Sequence, residues 1–123
     1  MAKILVIDDS SFQRKWIARA VTSLGHKAAE AENGQQGLTL IDSVKPDCIT
    51  VDLNMPEMDG IEFLGNLKNL NQDIPVIVIT SDIQGETKKQ CAQLGAAAFL
   101  NKPFKTDDLK NALTNCLKST PKL

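Results

Sequence analysis

Short apolar runs alternate with stretches of helical period along the whole chain. The runs lie at 3–7, 27–31, 47–51, 75–79 and 97–100. Ile4-Leu5-Val6-Ile7, Cys48-Ile49-Thr50-Val51 and Val76-Ile77-Val78-Ile79 are nearly continuous in aliphatic and β-branched residues. That is the pattern of parallel strands buried on both faces. The run at 27–31 is weak and reads as an edge strand. Between the runs the periodicity predicts helices over 10–24, 34–44, 60–70, 84–94 and 106–118. The first carries Phe12, Trp16, Ala20 and Leu24 at four-residue spacing, which assigns the only tryptophan to the core rather than to an interface. The fifth opens on Thr106-Asp107-Asp108 and carries Leu109, Leu113, Cys116 and Leu117 on one face. The fourth offers only Cys91, Ala92 and Leu94 among polar residues. So little apolar area docks a helix weakly and makes it a candidate for local mobility.

Strand alternating with helix means a parallel sheet covered by helices on both faces, with right-handed crossovers. Five such units in 123 residues predict one doubly wound α/β domain over 1–123, flavodoxin-like, with strand order 2-1-3-4-5. Strands one and three are neighbours in that order. The formal net charge of −1 lacks the basic excess that general nucleic-acid or membrane binding needs. The first strand begins by Lys3, so no signal peptide fits before it, and no apolar run approaches the roughly 20 residues of a membrane span. A cytoplasmic protein is expected. Cys48, Cys91 and Cys116 form no CxxC pair and read as small, reduced apolar residues inside periodic elements. His26, the single histidine, lies in a turn without a second ligand, which argues against a metal role.

The chemistry gathers at strand ends. Asp8-Asp9 closes the first run, Asp52 the third, Thr80 the fourth, and Lys102-Pro103 follows the fifth. In open α/β sheets, ligands bind outside the carboxyl ends of the strands at a switch point. Taken singly, each residue has an ordinary reading: an Asp as a turn residue or helix cap, a Thr as a strand residue, a Lys as a solvated charge. Taken together they form a constellation. Asp8, Asp9 and Asp52 repel one another unless a hard cation sits among them, and they offer oxygen ligands to one side of a Mg²⁺. With its charge screened, Asp52 can attack phosphorus in line to give an aspartyl phosphate. Such transfer needs mainly positioning and charge neutralisation, which Lys102 and the Thr80 hydroxyl can give to phosphoryl oxygens. Pro103 restricts Lys102 to an extended backbone, and a cis bond there would aim it inward.

Four stretches also resemble the receiver domain of two-component response regulators, over the whole length of the chain. They are Ile4-Leu5-Val6-Ile7-Asp8-Asp9-Ser10, Asp52-Leu53-Asn54-Met55-Pro56-Glu57-Met58-Asp59-Gly60, Ile77-Val78-Ile79-Thr80, and Phe99-Leu100-Asn101-Lys102-Pro103-Phe104. The resemblance implies that Asp52 accepts phosphate from a phosphohistidine of a histidine kinase or phosphotransfer protein. It implies that the backbone carbonyl of Asn54 joins Asp8, Asp9 and Asp52 in holding Mg²⁺. Thr80 would then move toward the phosphoryl group, Phe99 would change rotamer, and the face of helix four, strand five and helix five would change its partners. The implied protein is a stand-alone switch, chemotaxis-like or a relay intermediate, monomeric or weakly dimeric, with a downstream target protein or a phosphatase as partner. It is no enzyme beyond assisting its own phosphorylation and dephosphorylation.

Three positions depart from or refine that pattern. Phe99 stands where Tyr or His is frequent, so no hydroxyl takes part in the switch. Ser81 adds a polar group where Ala or Gly is frequent. Asn54 and Asp82 resemble the pair that tunes hydrolysis of the acyl phosphate, which implies a short-lived phosphoryl group. Asp82 also reads as a plain acid at a helix N-terminus.

Rival readings fare worse. A Mg²⁺-dependent phosphatase of the haloacid-dehalogenase type wants a second Asp two residues past the nucleophile, and Asn54 stands there. A dinucleotide or P-loop protein wants a Gly-rich loop after strand one, where the chain has Asp8-Asp9-Ser10-Ser11. A scaffold that acts without phosphorylation is the remaining alternative.

Overall fold

The computed structural model describes residues 2–55, 57–70, 72–81 and 85–119. Strands β1 (Lys3–Ile7), β2 (Lys27–Ala31), β3 (Cys48–Asp52), β4 (Val76–Thr80) and β5 (Ala96–Asn101) alternate with helices. The helices are α1 (Ser11–Ser23), α2 (Gly34–Val44), α3 (Gly60–Asn69), α4 (Gly85–Gln93) and α5 (Thr106–Ser119). All strand pairs are parallel and the order is β2-β1-β3-β4-β5, as the alternation predicts. β2 is an edge, as its weak apolar pattern requires. β3, β4 and β5 run one residue further than expected at their carboxyl ends. Asp52 pairs with Ile79 and Thr80 with Asn101, so the ladder continues through the first polar residues.

The central strands are buried on both faces and sort their side chains by the strand period of two. Ile4, Val6, Cys48, Ile77 and Ile79 face one apolar layer, with Ile17 and Val21 of α1 and Leu109, Leu113 and Cys116 of α5. Leu5, Ile7, Ile49, Val51, Val76 and Val78 face the other, with Ile41 of α2, Phe63, Leu64 and Leu67 of α3 and Cys91 of α4. All three cysteines are buried among these apolar side chains. Helix starts follow the sequence signals. The side chains of Ser10, Asn33 and Asp59 accept from the backbone N–H three residues on, at Gln13, Gln36 and Glu62.

Two helices flank β5 with very different grips. α5 buries Leu109, Leu113 and Cys116, and each leucine contributes about 1.5–3 kcal/mol of burial. Among the described residues of α4, only Cys91 is buried, as its thin apolar stripe predicts. Gln84, the predicted first residue of that helix, lies outside the described residues.

α1 corrects one expectation. Trp16 is 39% exposed and Phe12 is 76% exposed, so neither belongs to the core. The buried residues are Ile17, Ala18, Ala20 and Val21. A strict four-residue repeat drifts around a helix of 3.6 residues per turn, and Ile17-Val21-Leu24 follows the sheet-facing line better. Phe12 and Trp16 sit on the first turns, level with the carboxyl ends of the strands. Trp16 instead packs edge-on against Phe104, with ring centroids 5.2 Å apart.

Candidate functional site

β1 and β3 are neighbours, and each delivers an acid to the same edge. Asp8 is 1% exposed and Asp52 is 8% exposed, while Asp9 is solvent-facing. One carboxylate oxygen from each of the three lies within 4.8 Å of the others. Asp8 is held tightly. Its N–H donates to Ala31 O at 3.1 Å, and its carbonyl accepts from Arg14 Nη1 at 2.8 Å. Its Oδ1 accepts from Ser10 N–H at 2.9 Å, the residue that caps α1.

Asp52 is fixed from the chain that follows it. Asn54 N–H donates to Asp52 Oδ1 at 3.4 Å. Leu53 N–H donates to Ile79 O at 3.2 Å, and Gly60 N–H returns to Leu53 O at 2.9 Å. A side chain at Gly60 would place its Cβ 2.9 Å from the Leu53 Cα and 3.1 Å from Asp52 O, so glycine is what lets the loop fold back onto the strand end.

Lys102 reaches the acids from the end of β5. Its backbone N–H donates to Thr80 O at 2.8 Å, and the Lys102–Pro103 bond is cis. Its Nζ lies 3.4 Å from Asp8 Oδ2 and 3.5 Å from Asp52 Oδ2. Thr80 is fully buried, one residue past Ile79, the cross-strand partner of Asp52. By the strand alternation, Thr80 faces the same layer as Val78 and Phe99, beneath α4. Phe99 is half-buried there, with the Lys88 ammonium of α4 5.5 Å above its ring.

The electrostatics are tense. Burial, first of all, pushes the Asp52 carboxyl above the usual carboxylate range; Lys102 pulls it down, and the charges of Asp8 and Asp9 push it up again. Among the described residues here, three carboxylates face one ammonium. That excess of negative charge in a partly buried, oxygen-rich pocket suits a hard divalent cation.

The structure therefore brings together Asp8, Asp9, Asp52 and Lys102, with Thr80 and Asn54 adjoining. Phe99 stands apart from the acids, in the layer beneath α4 that Thr80 also faces. Asp82 lies outside the described residues. Two features escape the sequence reading. Arg14 touches the acid loop and pairs with Glu30, its Nε 3.1 Å from Glu30 Oε1. Its position four residues past the Ser10 cap, one helical turn, was the available signal. The second is a cleft of about 650 Å³ lined by Phe12, Gln13, Trp16, Ser81, Lys102, Pro103 and Phe104, directly beside the site.

The chain is similar to known proteins along most of its length. The profile of the family described as "Response regulator receiver domain" matches residues 4–114. The chemotaxis protein CheY of Listeria monocytogenes is 36% identical over 119 residues, which cover 96% of this chain and 100% of that protein. The solved structure of Vibrio cholerae chemotaxis protein CheY4 superposes with a TM-score of 0.90 at 30% identity, over 95% of this chain and 99% of that one. A protein-glutamate methylesterase/protein-glutamine glutaminase of Treponema pallidum is 39% identical over 82% of this chain. The chain spans 26% of that relative's length, and 28% of the matching protein of Treponema denticola.

Proposed function

This chain belongs to the response regulator receiver domain family, a phosphorylatable switch of two-component signalling, and from that premise we propose that Asp52 is its phosphoacceptor. The observation that carries the proposal is the position of Asp52. It is a buried carboxylate at the end of β3, 3.5 Å from an ammonium and grouped with two further acids. An Asp52 oxygen attacks phosphorus of a phosphohistidine, the new O–P bond forms, and the P–N bond breaks to release the imidazole. Lys102 neutralises a phosphoryl oxygen, and the Thr80 hydroxyl donates to another.

Asp8, Asp9, Asp52 and the carbonyl of Asn54 are the groups that would hold Mg²⁺, and the surplus of carboxylates over cations supports that fit. When bound, the ion screens Asp52 from its neighbours and from the incoming phosphate. Thr80 and Phe99 share the layer beneath α4, which is held by little burial. Phosphorylation would select one of two arrangements of the α4–β5–α5 face and so change its downstream partner. The donor, a histidine kinase or phosphotransfer protein, would meet the carboxyl edge, where exposed Phe12 and Trp16 offer apolar surface beside Lys102. Asn54 and Asp82 would tune the lifetime of the phosphoryl group. The domain acts on itself rather than as an enzyme on other molecules, and we place it in the cytoplasm. Among the described residues, no helix is long and apolar enough to cross a membrane.

The test is intact mass after incubation with Mg²⁺ and acetyl phosphate. The expected result is one labile phosphoryl gain in wild type, absent in Asp52→Asn and absent when Mg²⁺ is chelated. An equal gain in Asp52→Asn would move the acceptor elsewhere. No gain in wild type, while a control receiver is labelled, would favour a scaffold that works without phosphorylation.

A further inference from the structure

We propose that Arg14 and Glu30 are positioning residues that set the affinity of the acid cluster for its cation, an inference that rests on the reading of Asp8, Asp9 and Asp52 as a Mg²⁺ site. Neither residue belongs to the cluster. Arg14 stands on α1 with a side chain only 13% exposed, and Glu30 stands on edge strand β2. The guanidinium spends two donors in two directions: Nη1 on the Asp8 carbonyl at 2.8 Å, and Nε on Glu30 Oε1 at 3.1 Å. Lys15 holds the second oxygen of Glu30 at 3.3 Å.

The consequence falls on Asp8. Its N–H is tied to Ala31 of β2 and its carbonyl to Arg14 of α1, so both backbone groups of the residue are fixed to flanking elements. The carboxylate is then aimed by Ser10 N–H and Lys102. This bracing is needed because the β1–α1 loop carries two like charges that face a third on β3. Repulsion favours a splayed loop, and a splayed loop spreads the oxygens that a cation must gather. A rigid fork between a carbonyl and a carboxylate resists that spreading, and a flexible ammonium does so less well. The role also gives Glu30 a use, as the one acid of a weak strand.

Charge and geometry make opposite predictions here, which is what makes the idea testable. If Arg14 acted only as a positive charge near the site, removing it would tighten Mg²⁺ binding. If it positions Asp8, removing it weakens binding despite the lost repulsion. The measurement is a Mg²⁺ titration of the whole chain followed by backbone amide chemical shifts, with the melting temperature recorded in parallel. It is run on wild type, Arg14→Met, Arg14→Lys and Glu30→Gln. Arg14→Met is expected to raise the Mg²⁺ dissociation constant about tenfold, the scale on which groups that orient metal ligands act. Arg14→Lys and Glu30→Gln should fall between that value and wild type. Unchanged or tighter Mg²⁺ binding in Arg14→Met and Glu30→Gln, even with lowered melting temperatures, would reduce the pair to a structural contact and overturn the proposal. Should Arg14→Met not fold, the milder Arg14→Lys and Glu30→Gln decide by the same criterion. A wild type that shows no Mg²⁺ response would sink the metal reading itself, and this inference with it. A responsive wild type beside indifferent variants sinks this inference alone.

Discussion

The two halves of β3 obey different rules. At Ile49 and Val51 the strand is fully buried, paired on both sides, and surrounded by aliphatic side chains. One residue later, Asp52 is nearly as buried, still paired with Ile79, and carries a carboxylate among like charges. The first region lowers the free energy of the fold. The second is an electrostatic burden that the first supports. The contrast shows why the site lies at the strand ends: the ladder supplies rigidity up to the last residue, and the pocket begins where the apolar layers end.

The sharpest way to break this contrast is at its stable end. Ile49→Ala removes a side chain with no exposed surface, packed between the sheet and the layer of α2 and α3. It should cost about 2–5 kcal/mol, read as a fall in the urea midpoint with an unchanged slope. Any protein that remains folded should still accept phosphate at Asp52. A cost below about 1 kcal/mol would mean that the core repacks, and that β3 is not the rigid platform assigned to it.

The next effect has the opposite sign. Because burial raises the Asp52 pKa in the folded state, folding favours the protonated acid. The stabilising contribution is fully present below the unfolded value near 3.8 and is lost as pH rises through the higher folded value. At neutral pH, without metal, Asp52 therefore destabilises the domain, and Asp52→Asn should unfold at higher urea than wild type. The advantage should shrink as pH falls toward the ordinary carboxylate range. Added Mg²⁺ should shrink it too, by stabilising wild type more than the variant. A variant less stable than wild type in chelator at neutral pH would show that Lys102 outweighs desolvation, and the contrast along β3 would lose its electrostatic half.

Most of this was legible in the sequence, for a physical reason. Continuous runs such as Ile4 to Ile7 and Val76 to Ile79 suit only strands buried on both faces, and five of them between helices leave few topologies. The acids were legible because a carboxylate directly after such a run has nowhere to go but the sheet edge. What escaped was interaction at a distance in sequence. Arg14 meets Glu30 across 16 residues, and only the packing of α1 on β2 makes that visible. Trp16 was misplaced because four-residue spacing recorded a helix stripe without saying where along the helix the sheet beneath it stops. Thr80 and Phe99 were coupled only through the family resemblance, while their common layer emerges from the register of β4 on β5.

The smallest effect sharpens the comparison inside β3 itself. Thr50 lies between Ile49 and Val51, is 1% exposed, and its hydroxyl has no hydrogen-bond partner among the described residues. A buried donor left unpaired costs about 1–3 kcal/mol, and removing it while keeping the branched shape recovers part of that. Valine keeps that shape and suits a strand at least as well. Thr50→Val should therefore raise stability by about 1 kcal/mol, seen as a higher urea midpoint, and leave phosphorylation at Asp52 unchanged. A loss of stability would mean that the hydroxyl is bonded in solution. The polar regime of the site would then reach two residues deeper into the strand than Asp52.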